Sequence, residues 1–229
     1  MKIISAKTFE EEKEYSCVLP IHIEAKDGEI TAEVYRELTE ELSFLEGMTE
    51  EQVFQAETID RIISAVEDML ESNGYEIRYG KNYVYKLYRR EDVNKSLILD
   101  SSEVLLSDHG YEDLIGIQPE LLSEGYLCFA TVVDGRIVSM ASENCRADGV
   151  TEINIGVETA EGYKNNGYGA SNVASLSYYL LDSGITVLYT VDDENYGSIR
   201  LCERVGFKKD LHTLDVFGLT PEMIEQQEG

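Results

Sequence analysis

Lys164-Asn165-Asn166-Gly167-Tyr168-Gly169 lies between two runs of different periodicity. Before it, Thr151-Glu152-Ile153-Asn154-Ile155-Gly156-Val157 alternates as a strand does. After it, a helical pattern runs from about Tyr168 to Asp182, and Ser183-Gly184 closes it. A loop that leaves a strand and enters a helix aims the helix's first free amides at its concave side. Those N–H groups and the helix dipole favour an anion such as a phosphate. The two glycines allow positive φ and let a phosphate approach the amides without meeting a Cβ, and Lys164 adds a cation. The stretch therefore suits a pyrophosphate. Any tight strand-to-helix turn can use the same residues, so the loop alone leaves both readings open. Two other phosphate loops fit poorly: there is no Gly-Lys-Thr/Ser, and no third glycine in GxGxxG spacing.

Working outward, residues 185–191 form a continuous apolar run, as in a strand buried on both faces. Residues 195–205 read as a short helix capped by Gly206, and residues 207–217 as a last strand. Upstream, residues 126–133, a turn at Asp134-Gly135 and residues 136–145 read as a β-hairpin. A second turn at Ala147-Asp148-Gly149 leads into the strand before the loop. The order β-β-β-α-β-α-β predicts an α/β fold, a mixed sheet with helices on it. Residues 83–88 read as a further strand, and residues 95–123 are polar and poorly patterned.

The first part reads differently. Ile30, Val34, Leu38, Leu42 and Leu45 stand at helical spacing over residues 29–47. Thr49-Glu50-Glu51-Gln52 is a capping-box sequence that opens a second amphipathic helix ending at Asn73-Gly74. Residues 16–23 suggest a strand. The expected division is a helical extension over residues 1–80 and a sheet domain over residues 81–229.

The 229 residues include 43% hydrophobic residues and carry a formal charge of −26. Nucleic acid and anionic membranes both need a basic surface, so neither is an expected partner. An acidic surface fits a cationic amine, and it also serves solubility. No apolar run approaches the ~18 residues that span a bilayer, and the first 16 residues lack a signal-peptide pattern. Cys17, Cys128, Cys145 and Cys202 are scattered, with no CxxC pair or Cys/His cluster. They predict free thiols in a reducing cytoplasm, without zinc or a disulfide framework.

Two motifs in order resemble the GNAT superfamily, the acyl-CoA-dependent N-acetyltransferases. The first is Lys164-Asn165-Asn166-Gly167-Tyr168-Gly169, similar to that family's Arg/Gln-x-x-Gly-x-Gly/Ala pyrophosphate loop, with lysine at its head. The second is Asn195-Tyr196-Gly197-Ser198-Ile199-Arg200-Leu201-Cys202-Glu203-Arg204-Val205-Gly206-Phe207, similar to Asn-x-x-Ser/Ala…Tyr-x-x-x-Gly-Phe. The resemblance covers roughly residues 83–217. It implies acetyl-CoA as cosubstrate, held by Ile155, Gly156 and Val157 along the pantetheine, by residues 164–169 and Ala170 around the pyrophosphate, and by Asn195 and Ser198. It implies no metal. The acceptor is expected to be a small-molecule or peptide amine, and a homodimer is left open.

The resemblance also implies catalytic roles. Glu152 stands where several family members carry a catalytic glutamate, and burial in the sheet would make it a base; it can equally point to solvent on an alternating strand. Glu158 and Glu161 are second candidates. Gly156 suits a bulge that frees an amide for the thioester carbonyl, or a spot where a neighbour packs close. Asn195 can bond pantetheine, cap a helix, or both. Cys202 occupies the position of the family's proton-donating tyrosine; it is a thiol acid or a small core residue, and in the second case Tyr196 or solvent donates. The missing tyrosine also motivates the alternative of a non-catalytic acyl-CoA-binding or protein-interaction module.

Overall fold

The computed structural model describes residues 1–5, 7–144 and 150–228. The strands are β1 (Lys2–Ser5), β2 (Cys17–Lys26), β3 (Glu29–Val34), β4 (Glu76–Leu87), β5 (Ser102–Val104), β6 (Glu112–Asp113), β7 (Cys128–Val133), β8 (Arg136–Glu143), β9 (Glu152–Thr159), β10 (Thr186–Asp192) and β11 (Lys208–Leu219). The helices are α1 (Phe9–Glu12), α2 (Glu50–Val53), α3 (Ala56–Glu71), α4 (Pro119–Ser123), α5 (Tyr168–Asp182), α6 (Tyr196–Val205) and α7 (Pro221–Glu228). The chain divides into two compact units, Met1–Tyr83 with Leu211–Gly229, and Val84–Asp210. The expected division near residue 80 is displaced by a few residues, and the C-terminal strand joins the first unit.

The first unit is not helical throughout. Residues 29–47, read as a helix, begin instead with β3 and continue as two short 3-10 turns over Arg36–Leu38 and Glu41–Leu45. Within β3 Ile30, Ala32 and Val34 are buried while Glu29, Thr31 and Glu33 are not, a period of two. Asp27 and Gly28 both take positive φ, 51° and 83°, and make the two-residue hairpin turn between β2 and β3. The sheet order is β1-β3-β2-β11, with β1 parallel to β3 and the other pairs antiparallel. The expected second helix is present in two pieces. Its capping box is formed: the Gln52 amide donates to Thr49 Oγ1, and the Thr49 amide donates to Gln52 Oε1 at 2.9 Å. Ile59, Ile62, Val66 and Leu70 of α3 pack with Ile21, Ile23, Leu42 and Leu214 in one apolar core.

The second unit holds the loop. Its sheet runs β10-β9-β8-β7-β5, with β6 beside β8. β9 and β10 are parallel and β5, β7, β8 and β9 antiparallel, so the sheet is mixed, as expected. Asp134 (φ 51°) and Gly135 (φ 78°) turn the β7–β8 hairpin. α5 packs over β7, β8 and β9. Val173, Ala174, Leu176 and Leu180 are buried, and Asn172 crosslinks helix and sheet. Its Nδ2 donates to the Ser139 carbonyl at 3.1 Å, and its Oδ1 accepts from Thr131 Oγ1 at 3.1 Å and from Ser102 Oγ at 2.7 Å. A buried amide with three hydrogen bonds to the sheet side fixes the register of α5 on it. The turn at residues 147–149 and Cys145 lie outside the described residues. Cys17, Cys128 and Cys202 are free thiols. No described helix is long and apolar enough to cross a membrane.

Candidate active site

β9 and β10 are neighbours over a short distance only. Thr186 faces Glu152, Val187 faces Ile153 and Leu188 faces Asn154. The pairing stops there, although the strands continue to Thr159 and Asp192. Asn154 marks the fork: its Oδ1 accepts the Thr190 amide at 3.1 Å, taking the place of a ladder carbonyl. On its other edge β9 stays paired with β8 from Ile155 to Thr159.

Alternation decides which backbone groups face the gap. The Thr151 carbonyl accepts the Thr186 amide, whereas the Asn154 carbonyl accepts the Asn144 amide from the β8 side. A strand residue points its N–H and C=O to one edge and its neighbour points them to the other. The Leu188–Asn154 register takes the Ile155 amide into the ladder, so the Ile155 carbonyl and the N–H and C=O of Val157 and Thr159 face the gap. The bulge expected at residues 155–157 is absent, because the β8–β9 register runs without a shift. Gly156 serves close packing instead: a Cβ there would lie 2.7 Å from Asn144 Oδ1. The free amides come from the fork.

The gap opens on a cleft of about 590 Å³. Of the residues expected at a coenzyme site, Val157, Lys164, Asn165, Gly167, Tyr168, Gly169, Ala170, Asn195 and Ser198 line it; Ile155, Gly156 and Asn166 do not. Asn165 (φ 65°) and Gly167 (φ 83°) supply the left-handed residues that turn the chain into α5. Asn166 braces the loop, its Nδ2 donating to the Tyr163 carbonyl at 2.9 Å. Helical bonding starts with the Ser171 amide donating to the Gly167 carbonyl at 2.9 Å. No side chain caps α5, and its first turn holds no acidic residue. The amides of Tyr168, Gly169 and Ala170 are thus the helix's unspent donors, beside the cleft. Gly169 brings them close to β9: a Cβ would meet Thr159 Oγ1 at 3.2 Å, Leu201 Cδ1 at 3.3 Å and Val157 Cγ2 at 3.4 Å.

The cleft is cationic within an acidic chain. Lys164 pairs with Glu161 at 2.5 Å, and that hydrogen bond raises its pKa further above the ordinary lysine value. Arg200 and Arg204 of α6 line the same cleft. They were not singled out in the sequence, although basic residues four apart on one helix share a face and carry the signal. Asn195 caps α6, its Oδ1 accepting the Ser198 amide at 3.1 Å, while also lining the cleft. Ser198 Oγ shares a 2.6 Å hydrogen bond with Tyr189 Oη, a buried phenol whose pKa burial raises. The sequence reading passed over this pair because Tyr189 sits in an apolar strand.

The two catalytic candidates are placed as follows. Glu152 is exposed over somewhat less than half of its side chain and takes Lys86 Nζ at 3.1 Å; Lys86 also lies 3.6 Å from Asp210. The burial expected to make Glu152 a base is therefore not there. Cys202 is wholly buried and donates to the Ile199 carbonyl at 3.2 Å, and burial pushes its thiol up to about 12. It is a core residue of α6 and lies outside the cleft lining. Tyr196 is exposed and also outside that lining. Among the described residues no group of three or more His, Cys, Asp or Glu is arranged to hold a metal ion.

Residues 131–216 match the family model of FR47-like proteins. Solved structures resemble the chain at low identity. A protein of the GNAT family from Novosphingobium aromaticivorans is 19% identical over 64% of this chain and 68% of its own, with a TM-score of 0.48. A GCN5-related N-acetyltransferase-like protein from Streptococcus suis is 21% identical over 72% and 68%, with a TM-score of 0.49. A Drosophila protein is 16% identical over 73% and 59%, with a TM-score of 0.50. No protein of curated description matches the sequence. The FR47-like match takes in the loop, α5, β10, α6 and most of β11, and spans less than half of the chain.

Proposed function

We propose that the protein is an N-acetyltransferase that moves an acetyl group from acetyl-CoA to a primary amine. The observation that carries this reading is the fork of β9 and β10, where a free strand edge, an unspent helix N-terminus and Asn195 meet at one cationic cleft. The amides of Tyr168, Gly169 and Ala170 receive the pyrophosphate, with Lys164, Arg200 and Arg204 as counter-charges. The pantetheine arm lies along β9 as an added strand and pairs with Ile155 and Val157. An amide left free in the gap polarises the thioester carbonyl.

The amine attacks that carbonyl directly, with a glutamate as general base. Val157 and Thr159 touch α5, so the even-numbered residues of β9 look to the opposite face. Two glutamates stand there. The Glu152 carboxylate is engaged by Lys86, whereas Glu158 lines the cleft. With Cys202 buried, the Tyr189–Ser198 hydroxyl pair is the donor nearest in kind to the family's tyrosine, and Ser198 lines the cleft. The charge of −26 favours a cationic acceptor, a small amine or a basic peptide.

The second reading, a non-catalytic acyl-CoA-binding module, is motivated by Cys202 at the tyrosine position. Release of free CoA in the presence of an amine panel separates the two. Binding of acetyl-CoA with no thiol release above the no-enzyme control would favour the module.

A further inference from the structure

A second cavity, of about 380 Å³, opens on the face of the sheet away from α5. Met140, Ile115, Ile117 and Leu121 give it an apolar floor, Ser142 and Asn144 a polar rim, and two carboxylates line it, the exposed Glu158 and the buried Glu143, which accepts the Leu127 amide at 3.1 Å. Met140, Ile115 and Ile117 belong to one apolar cluster. Among its described lining residues there is no lysine or arginine. Glu158 is common to this cavity and to the coenzyme cleft. It lies opposite Met140 in the β8–β9 register and follows Val157, whose amide faces the gap.

We propose that this second cavity is the acceptor subsite, that it takes a primary amine borne on a compact apolar body, and that Glu158 receives the amine's proton. The inference rests on the acetyltransferase reading above. A cavity of this size is at the small end for ligand sites, which span about 300–1,000 Å³. It suits an alkyl or arylalkyl group better than a polyamine or a peptide. Glu158 is the anionic group at the junction, so an ammonium ion entering over the apolar floor meets a carboxylate next to the thioester. The ammonium gives one proton to Glu158, and the freed lone pair forms the C–N bond to the carbonyl carbon. The C–S bond breaks and the coenzyme leaves as thiolate. The second proton on nitrogen passes to that thiolate, which yields the amide and free CoA.

The test follows thiol release from acetyl-CoA with hexylamine, phenethylamine, spermidine and a lysine peptide as acceptors. It uses wild type, Leu121→Trp and Glu158→Gln, with calorimetric acetyl-CoA affinity measured beside each. Turnover is expected to favour hexylamine or phenethylamine. Leu121→Trp fills the cavity and raises their KM on the order of tenfold, with acetyl-CoA affinity unchanged. Glu158→Gln, at an exposed position that spares the fold, lowers kcat/KM on the order of a hundredfold with acetyl-CoA affinity unchanged. Preference for spermidine or the peptide, an unchanged KM in Leu121→Trp, or a full rate in Glu158→Gln would overturn the inference while leaving the acetyltransferase reading intact. A wild type that binds no acetyl-CoA would end that reading and this inference with it.

Discussion

Replacing His22 by glutamine removes a charge from the first unit, and the structure sets the size and pH window of the effect. His22 Nδ1 lies 2.5 Å from Asp215 Oδ1 on the paired strand β11, and Nε2 lies 3.1 Å from Glu24 Oε1. The hydrogen bond to Asp215 is the main cause that raises the imidazole pKa from 6.5 to about 9, opposed by partial burial and helped by Glu24. The folded state thus holds a proton that the unfolded chain releases near 6.5. Its contribution is fully present below that pH and is lost as pH rises through about 9. The interval corresponds to at most about 3.5 kcal/mol at ~1.4 kcal/mol per pKa unit, and partial exposure reduces it to about 2. Urea unfolding of wild type and His22→Gln between pH 6 and 9.5, followed by circular dichroism, reads the difference. The wild type is expected to be more stable at pH 6 and to lose about 2 kcal/mol relative to the variant by pH 9.5. A stability difference independent of pH would refute the argument, as would a His22 ring signal titrating near 6.5 in the folded protein by NMR.

Three further outcomes follow from the second unit. Gly206→Ala is expected to destabilise it by about 3 kcal/mol or more, because a Cβ would lie 2.1 Å from the Asp92 carbonyl oxygen at φ 123°; thermal unfolding checks this. Asn195→Ala removes the cap on α6 and is expected to cost about 1 kcal/mol in the same assay, while also weakening acetyl-CoA binding. Arg200→Ala is expected to weaken acetyl-CoA binding severalfold at low ionic strength and much less at high salt, read by calorimetry at two salt concentrations.

The functional half of the chain was legible because each signal there is local. The alternation over residues 151–157, the glycine-turned loop, the helix after it and Asn195 ahead of α6 each obey a rule of short range, and the structure forms all of them. The first unit misled for the opposite reason. Ile30 and Val34 satisfy helical spacing together with Leu38, Leu42 and Leu45, but Ile30, Ala32 and Val34 equally satisfy a period of two. Asp27-Gly28 was the decisive signal for a hairpin. The fork at Asn154 was hidden as well, since the end of a strand pairing depends on a partner about 30 residues away. Cys202 and Glu152 show the limit for site residues. A motif position fixes neither burial nor ionic partners, and Lys86 gives no local sign that it will reach Glu152.

The central claim is that the loop after β9 holds a pyrophosphate. Calorimetric titration of acetyl-CoA into wild type and Gly167→Glu tests it most directly, because a carboxylate at that position adds a negative charge and a side chain where the coenzyme would lie. Binding by the wild type that the variant loses, with the variant's circular dichroism spectrum unchanged, is the expected result. No heat of binding with the wild type, for acetyl-CoA or for a longer acyl-CoA, would contradict the account and leave the loop as a turn.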